Sequence, residues 1–341
     1  MGTLNVVVLY DRWEDAEEDS GGGSEKAPLT RTLDKKEVED EVADSLRKLG
    51  HEATLHCLDG SIKSLHALAR MECDLVFNLA ESFAGNDTAD ACIAGYLELI
   101  GKQFTGAGSH GLLYAQDKAV AKKILEFHGL HTPVFARSYR GRLDFSHDLE
   151  FPVIVKPARE DGSIGIEFNA VVNSIRELME RIDWLHANFD SPVLIEEYVE
   201  GREMYVGVLG NENPTALPVV ELDLSKLPEG TPRIAGAEVK WGKGTAAYRD
   251  TKSAVAENLP EETVTVLQQT AVAVFQALEL RDYARIDMRL RPDGRVAVIE
   301  ANPNPWLASK AEFAMAARKT GRTYNQLVGE IAELAIARYG G

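Results

Sequence analysis

The chain has 341 residues, too many for one ordinary hydrophobic core, so two or three domains are expected. Its 45% hydrophobic and 27% charged residues are those of a soluble globular protein. A formal charge of −17 disfavours nucleic acid or an anionic membrane as partner, so any phosphate ligand must be held by a few locally concentrated cations.

In chain order, LNVVVLY (4–10) reads as a buried strand, followed by the acidic, glycine-rich loop DRWEDAEEDSGGGSEKAP. Val38, Val42, Leu46 and Leu49 recur at helical spacing, and Gly50 is a natural residue to end that helix. EATLHCL and CDLVFNLA read as further strands, and an amphipathic helix between Thr88 and Ile100 closes at Gly101. This βαβα order implies an open, largely parallel sheet with helices on its faces. After KQFTGAG comes a helix from about Gln116 to Phe127, ended by Gly129. From FPVIVKPA (151–158) the pattern is β-rich, with IEFNAVV, SPVLIEEYV, REMYVGVLG and ALPVVELDL, and a helix at 174–187 interrupts it. Residues 226–258 carry little apolar periodicity, and a loop that long inside a compact chain is usually functional or disordered. A helix (261–279), a hairpin, and helices at 308–319 and 323–338 complete the chain, with no internal repeat.

Cys57, Cys73 and Cys92 are widely spaced and odd in number, which suggests a reducing compartment and neither a disulfide frame nor a zinc site. The start, MGTLNVVVLYDRWEDAEED, lacks the basic and apolar regions of a signal peptide, and no run of about 18 apolar residues could span a bilayer. The expected location is the cytosol.

The hairpin is RIDMRLRPDGRVAVIEANPNP (285–305). Asp293-Gly294 is a strong signal for a two-residue type I′ turn, with positive φ at both residues. Cross-strand positions then sum to 587, so that Arg285 faces Asn302 and Asp287 faces Glu300. Side chains alternate across a strand, which puts these four on one face. Ile286, Met288, Leu290, Ala297, Ile299 and Ala301 fall on the other. Three oxygen-bearing side chains and a guanidinium would share a patch small enough to grip a metal-bound phosphate. A hairpin with one solvated face alternates in the same way, so this stretch alone does not decide.

Three other stretches could carry chemistry. In FPVIVKPAREDGSIGIE, Lys156 ends a strand before a loop with Gly162, Ser163 and Gly165, whose small residues would let backbone amides converge on phosphate oxygens. It is not a Walker A loop. VLIEEYVEGRE (193–203) is an apolar strand ending in acids, and Glu197, Val199 and Glu203 could offer backbone groups to adenine and a carboxylate to ribose. EVKWGKGTAAYRD (238–250), with Lys240, Lys243 and Tyr248, would be a lid whose lysine reaches the terminal phosphate and whose closure excludes water. Each also reads as ordinary strand end or solvated loop.

Their order is more informative. Lys118 in QDK, Lys156 before the glycine-rich loop, EExV, a lysine lid, then RxD and ExN resemble the layout of ATP-grasp ligases, most closely the D-alanine–D-alanine ligase family. GYLELIGKQFTGAGSHGLLYAQDKAVAKKIL is similar to that family's threonine-glycine turn and lysine helix, and the resemblance covers roughly residues 75 to 340. It implies an α/β chain in which an open Rossmann-like parallel sheet (1–107) precedes two ATP-grasp subdomains that sandwich ATP. These would be a central one (108–195) and a C-terminal one (196–341) with its lid at 226–258.

Carried over residue by residue, the resemblance implies that Lys118 and Lys156 bind the nucleotide phosphates and that Ser163 covers them. Glu196 and the backbone of Glu197–Val199 would hold adenine, and Glu203 the ribose. Lys240 would approach the γ-phosphate. Asp287, Glu300 and Asn302 would hold two magnesium ions, for which manganese could substitute, and Arg285 would stabilise the transferring phosphoryl group. A homodimer is what the family suggests.

The substrate pocket departs from the family pattern. The family's N-terminal Gly-Gly-x-Ser segment has no convincing counterpart, its Leu-His-Gly is replaced by NLAES (78–82), and Pro-Gly-Met-Thr becomes Pro305-Trp306-Leu307-Ala308. The family's serine for the second substrate's carboxylate falls on Ala311. Glu81, Ser82, Tyr248, Trp306, Lys310 and Glu312 are the candidates to line the altered pocket. The expected activity is an ATP-dependent carboxylate–amine ligase forming an acyl phosphate from amino-acid-like substrates other than a D-alanine pair. The alternative is an ATP-binding subunit without ligase activity, and adenylation would be signalled by AMP in place of ADP.

Overall fold

The computed structural model describes residues 2–12, 37–139, 141–145 and 148–340. Most of the acidic loop expected after the first strand (13–28) lies outside the described residues. The N-terminal part comprises β1 (Asn5–Asp11), α1 (Val38–Lys48), β2 (Glu52–Leu58), α2 (Ile62–Arg70), β3 (Leu75–Asn78) and α3 (Asp90–Leu99). Its three strands run parallel in the order β2-β1-β3. Val6, Val7, Val8 and Leu9 of the middle strand are fully buried, as a parallel strand covered on both faces requires. Val7 and Leu9 pack with α3, while Val6 and Val8 pack with α1. The helix α2 was not legible, because only Ser64 and Leu68 of its nine residues are buried.

Next come α4 (Ser109–Gln116) and α5 (Lys118–Phe127). The helix expected from about Gln116 is α5, and α4, which was not expected, precedes it; the two are divided at Asp117, whose carboxylate caps α5 by accepting from the amides of Ala119 and Val120 at 3.1 and 3.2 Å. The central sheet is formed by β4 (Phe135–Tyr139), β5 (Arg142–Phe145), β6 (Val153–Pro157), β7 (Val171–Val172) and β8 (Val193–Glu197), in the order β5-β4-β8-β6-β7. The helix α6 (Ile175–Asn188) covers one face, packing Ile182 and Leu185 against Val153, Val155, Val193 and Ile195.

The C-terminal sheet contains β9 (Arg202–Gly210), β10 (Thr215–Ala216) and β11 (Val220–Asp223). The expected loop at 226–258 is not structureless: it holds two short helices, α7 (Ala237–Lys240) and α8 (Ala246–Asp250), and an edge strand, β12 (Lys252–Val255), paired with β11. There follow α9 (Glu261–Ala277), β13 (Asp282–Leu290), β14 (Val296–Pro303), α10 (Glu312–Lys319) and α11 (Tyr324–Arg338). The strand order is β12-β11-β9-β13-β14, with β10 on β9. Met204, Val206, Ile286 and Met288 face α9, while Tyr205 and Tyr283 face Phe313 of α10.

The β13–β14 hairpin brings together the residues expected to pair, by a different route. Arg285 is opposite Asn302 and Asp287 opposite Glu300, but nearer the tip Met288 pairs with Val298 and Leu290 with Val296. The tip is a three-residue loop, Pro292–Gly294, closed by the Arg291 amide on the Arg295 carbonyl at 2.9 Å. Only Gly294 has positive φ (+84°), so the expected type I′ turn does not form. The reason is Pro292, whose ring fixes φ in the range of a type I turn and removes a ladder donor. The resulting one-residue offset is cancelled by a bulge at Ile299. Ile299 consequently joins Glu300 on the cleft side, not the apolar face assigned to it from alternation, and Val298 takes its place in the core.

Gly201, just before β9, has φ +148°, and a Cβ there would lie 2.2 Å from the Leu290 carbonyl oxygen. Gly201→Ala is expected to lower stability by about 1–3 kcal/mol from backbone strain. Urea denaturation checks this, and an unchanged midpoint would mean that β9 and β13 separate freely there.

Candidate nucleotide and metal site

A cleft opens where β6 and β8 of the central sheet meet β9, β13 and β14 of the C-terminal sheet. It is lined by Lys156, Ser163, Glu196, Glu197, Val199, Glu203, Lys240, Asp287 and Glu300, nine of the residues expected to act on a nucleotide and its metal. Ile154, Ile166, Tyr198, Ile234 and Ile299 supply apolar walls. Such a slot suits a planar base beside the backbone of Glu197–Val199.

Lys118 opens α5 and is buried; its ammonium donates to the Glu160 carbonyl at 2.6 Å and lies 3.6 Å from Glu300. Lys156, also buried, pairs with one oxygen of Glu196. Lys122 reaches the other oxygen at 3.0 Å. The Glu196 carboxylate thus lies between two lysines, and it organises cations as well as walling the cleft. Lys122 was not foreseen, although its i+4 spacing from Lys118 puts both on one face of α5. Burial lowers the Lys122 ammonium from its usual range, against the attraction of Glu196.

The loop after β6 takes left-handed conformations at Gly162 (+62°), Ser163 (+65°) and Gly165 (+70°). The Ser163 hydroxyl donates to the Ala235 carbonyl at 2.7 Å, and the Trp241 indole donates to the Gly162 carbonyl at 2.7 Å. Lid and loop are therefore bonded directly to each other. Glu203 is paired with Arg289 at 2.6 Å, and Arg289 too escaped the sequence reading, passing as an ordinary strand residue.

On the hairpin face, Arg285 forks onto Asp287 with bonds of 2.7 and 2.8 Å. Its guanidinium stacks 4.9 Å from the Tyr205 ring centroid and lies 3.9 Å from Glu312. Burial raises the Asp287 carboxyl to about 6 in spite of Arg285, and the neighbouring Glu300 adds to the rise. Burial acts on Glu300 in the same sense, but Lys118, Lys156, Lys240 and Arg285 together outweigh it and hold that carboxyl at about 2.

Among the described residues no three His, Cys, Asp or Glu side chains gather into a metal-binding group. The candidate donor set is therefore two carboxylates and an amide. It fits a hard divalent cation on two counts. The buried amide nitrogen of Asn302 has no hydrogen-bond partner, so turning the amide to present its oxygen there breaks no bond of that nitrogen. Asp287 and Glu300 are also like-charged cross-strand neighbours whose repulsion a cation would relieve.

Of the six expected substrate-pocket residues, five lie apart from this cleft, and the sixth, Glu312, stands 3.9 Å from Arg285 on the hairpin face. The Ser82 hydroxyl and the Glu81 amide donate to Asp11 at 2.6 and 2.7 Å. Tyr248, Trp306 and Lys310 are exposed, and none of the five lines the cleft. Burial raises Asp87 to about 6, with Glu160, Glu81, Asp161 and Asp11 adding to it, and raises Asp90 to about 7. The side facing the glycine-rich loop after β6 from the N-terminal part thus gathers several carboxyl groups.

Comparison with known proteins agrees with this layout. Residues 124–333, more than half of the chain, match the family model described as D-ala D-ala ligase C-terminus. The uncharacterized protein y4sG of Sinorhizobium fredii is 33% identical over 312 residues, 89% of each chain. The D-alanine–D-alanine ligase of Aquifex aeolicus is 32% identical over 85% of this chain and 91% of its own. Among solved structures, the D-alanine–D-alanine ligase of Bacillus anthracis complexed with ATP superimposes with a TM-score of 0.74 at 22% identity, covering 99% of this chain and 100% of that one. The VanG D-Ala:D-Ser ligase of Enterococcus faecalis gives 0.71 at 18% identity, covering 97% and 99%. The described residues hold no helix long and apolar enough to cross a membrane. By its family-model match and these relatives, the chain belongs to the D-alanine–D-alanine ligase family of ATP-grasp ligases, which form carbon–nitrogen bonds.

Proposed function

We propose that this protein joins a carboxylate to an amine through an acyl phosphate, releasing ADP and phosphate, and that its substrates are not a pair of D-alanines. The observation that carries the reading is the hairpin face, where Arg285 and Asp287 stand opposite Asn302 and Glu300, with Asp287 and Glu300 lining the cleft shared with Lys156 and Lys240.

A carboxylate acylates poorly because oxide leaves badly. Attack of its oxygen on the γ-phosphorus of ATP breaks the bond to the β-phosphate bridge and gives a good leaving group. The amine nitrogen then attacks the acyl carbon, the C–O bond to phosphate breaks, and the nitrogen loses a proton. The protein's work is positioning and charge neutralisation. Lys118, Lys156 and Lys240 would hold the phosphates, with Ser163 and the loop amides covering them. The Glu197–Val199 backbone and the slot beside Glu196 would seat adenine, with Glu203 on the ribose. Divalent cations held by Asp287, Glu300 and Asn302 would neutralise phosphate charge, and Arg285 would stabilise the charge that develops on the transferring group.

Divergent substrates are supported by Trp306 and Ala311, which stand where the family's glycine and serine are expected. The acidic side around Asp11, Glu81 and Asp87 supports a carboxylate substrate that also carries an ammonium group, as an amino acid does.

The test is a phosphate-release screen of the purified protein over pairs of amino acids and small amines with ATP and magnesium, with mass spectrometry of any product. ADP and an amide are expected from at least one pair, and little dipeptide from two D-alanines. Nucleotide binding with no phosphate release across the panel would sink the ligase reading. Efficient D-alanyl-D-alanine formation would sink only the substrate part.

A further inference from the structure

We infer that Arg289 is a positioning residue of the nucleotide site, holding the ribose-side carboxylate, the hinge and the root of the lid as one unit. The inference rests on the nucleotide reading of the cleft given above. Arg289 sits on β13 two residues beyond Asp287, directly across the ladder from Glu203 of β9. Its side chain is 6% exposed, and a charge buried that deeply must be fully compensated.

The compensation is threefold. One guanidinium nitrogen pairs with Glu203 at 2.6 Å and also donates to the Arg233 carbonyl, while the other terminal nitrogen donates to the Gly201 carbonyl at 3.0 Å. Only the planar fork of arginine could reach all three acceptors from one strand position.

Each acceptor belongs to a different working part. Glu203 presents its remaining acceptor capacity to the cleft. Gly201 lies in the turn that carries the chain from β8 into β9. Arg233 is the root of the lid, and its amide is bonded in turn to the Tyr198 hydroxyl at 2.8 Å. The next two residues, Ile234 and Ala235, line the cleft, and the Ala235 carbonyl receives the Ser163 hydroxyl. A continuous path therefore runs from the ribose side, through Arg289 and the lid root, to the phosphate loop. Two consequences follow: Glu203 is kept in one orientation for the sugar hydroxyls, and the lid root stays seated when those hydroxyls are bound.

The test uses equilibrium binding of ATP, 2′-deoxy-ATP and 3′-deoxy-ATP with magnesium, in the absence of other substrates, for wild type and Arg289→Met. The wild type is expected to prefer ATP over both deoxy forms. In the variant that preference should collapse toward unity while ATP affinity falls about 10- to 100-fold. ATP should also protect residues 226–258 from limited proteolysis in the wild type and fail to do so in the variant. If Arg289→Met is recovered unfolded, Arg289→Lys carries the same test, because it keeps the charge against Glu203 and gives up the fork. Affinities for ATP and both deoxy forms that fall by the same factor, with lid protection intact, would overturn the inference and leave Arg289 a plain strand-pairing residue. A wild type that binds none of the three nucleotides would instead overturn the nucleotide reading beneath it.

Discussion

Arg285→Ala is expected to lower turnover by about 10²- to 10³-fold, the range for one preorganised contact to developing charge, while ATP affinity falls by much less. The difference arises because the guanidinium is locked before the reaction begins. Two of its nitrogens are fixed by Asp287, and its face is fixed by the Tyr205 ring. It therefore needs no reorganisation when charge moves onto the transferring group. Steady-state phosphate release and equilibrium nucleotide binding together make the measurement. Equal losses in both would show that the arginine contributes only to ground-state binding. Arg285→Lys should recover little, since an ammonium cannot fork onto Asp287 and stack on Tyr205 at once.

The second large effect is on stability. Glu196→Ala should destabilise the protein by about 3–5 kcal/mol, because it leaves Lys122 and Lys156 as uncompensated charges in the interior. All three side chains are at most 3% exposed, so solvent offers little relief. Glu196→Leu combined with Lys122→Met should recover only part of the loss, since it removes the charge of Lys122 but still leaves Lys156 without its partner. Chemical denaturation of the single and double variants measures this. A single variant as stable as wild type would mean that water or an anion reaches the two lysines. Added ATP should stabilise Glu196→Ala more than wild type, its phosphates replacing the lost negative charge.

Much of the fold was legible because apolar periodicity and glycine stops are strong local signals. The buried strand β1, the helix ends at Gly50, Gly101 and Gly129, and the strand β9 all follow from them. The short helices α2, α7 and α8 were not, because they bury few residues and offer less than three turns of pattern. The site was legible where residue type carries the chemistry, as with Lys156, Lys240, Asp287 and Glu300. It was not where a charged residue acts through another protein group. Lys122 acts through Glu196, and Arg289 through Glu203 and two carbonyls, contacts that join residues distant in sequence. The facing of Arg285 and Asn302 emerged correctly from an incorrect turn, because the loop at Pro292 and the bulge at Ile299 displace the register in opposite senses.

The bulge also makes the two ends of this hairpin independent. Ile299 is the residue of β14 with no opposite number on β13, so its loss would simply join Val298 to Glu300 and leave the rungs on both sides paired as they are. What such a deletion would take away is the Ile299 side chain from the wall of the cleft and the extra local twist that a bulge imposes. Descendants of this chain should therefore tolerate loss of that residue, or a changed tip beyond Arg291 and Arg295, one at a time, without turning Glu300 or Asn302 into the hydrophobic layer.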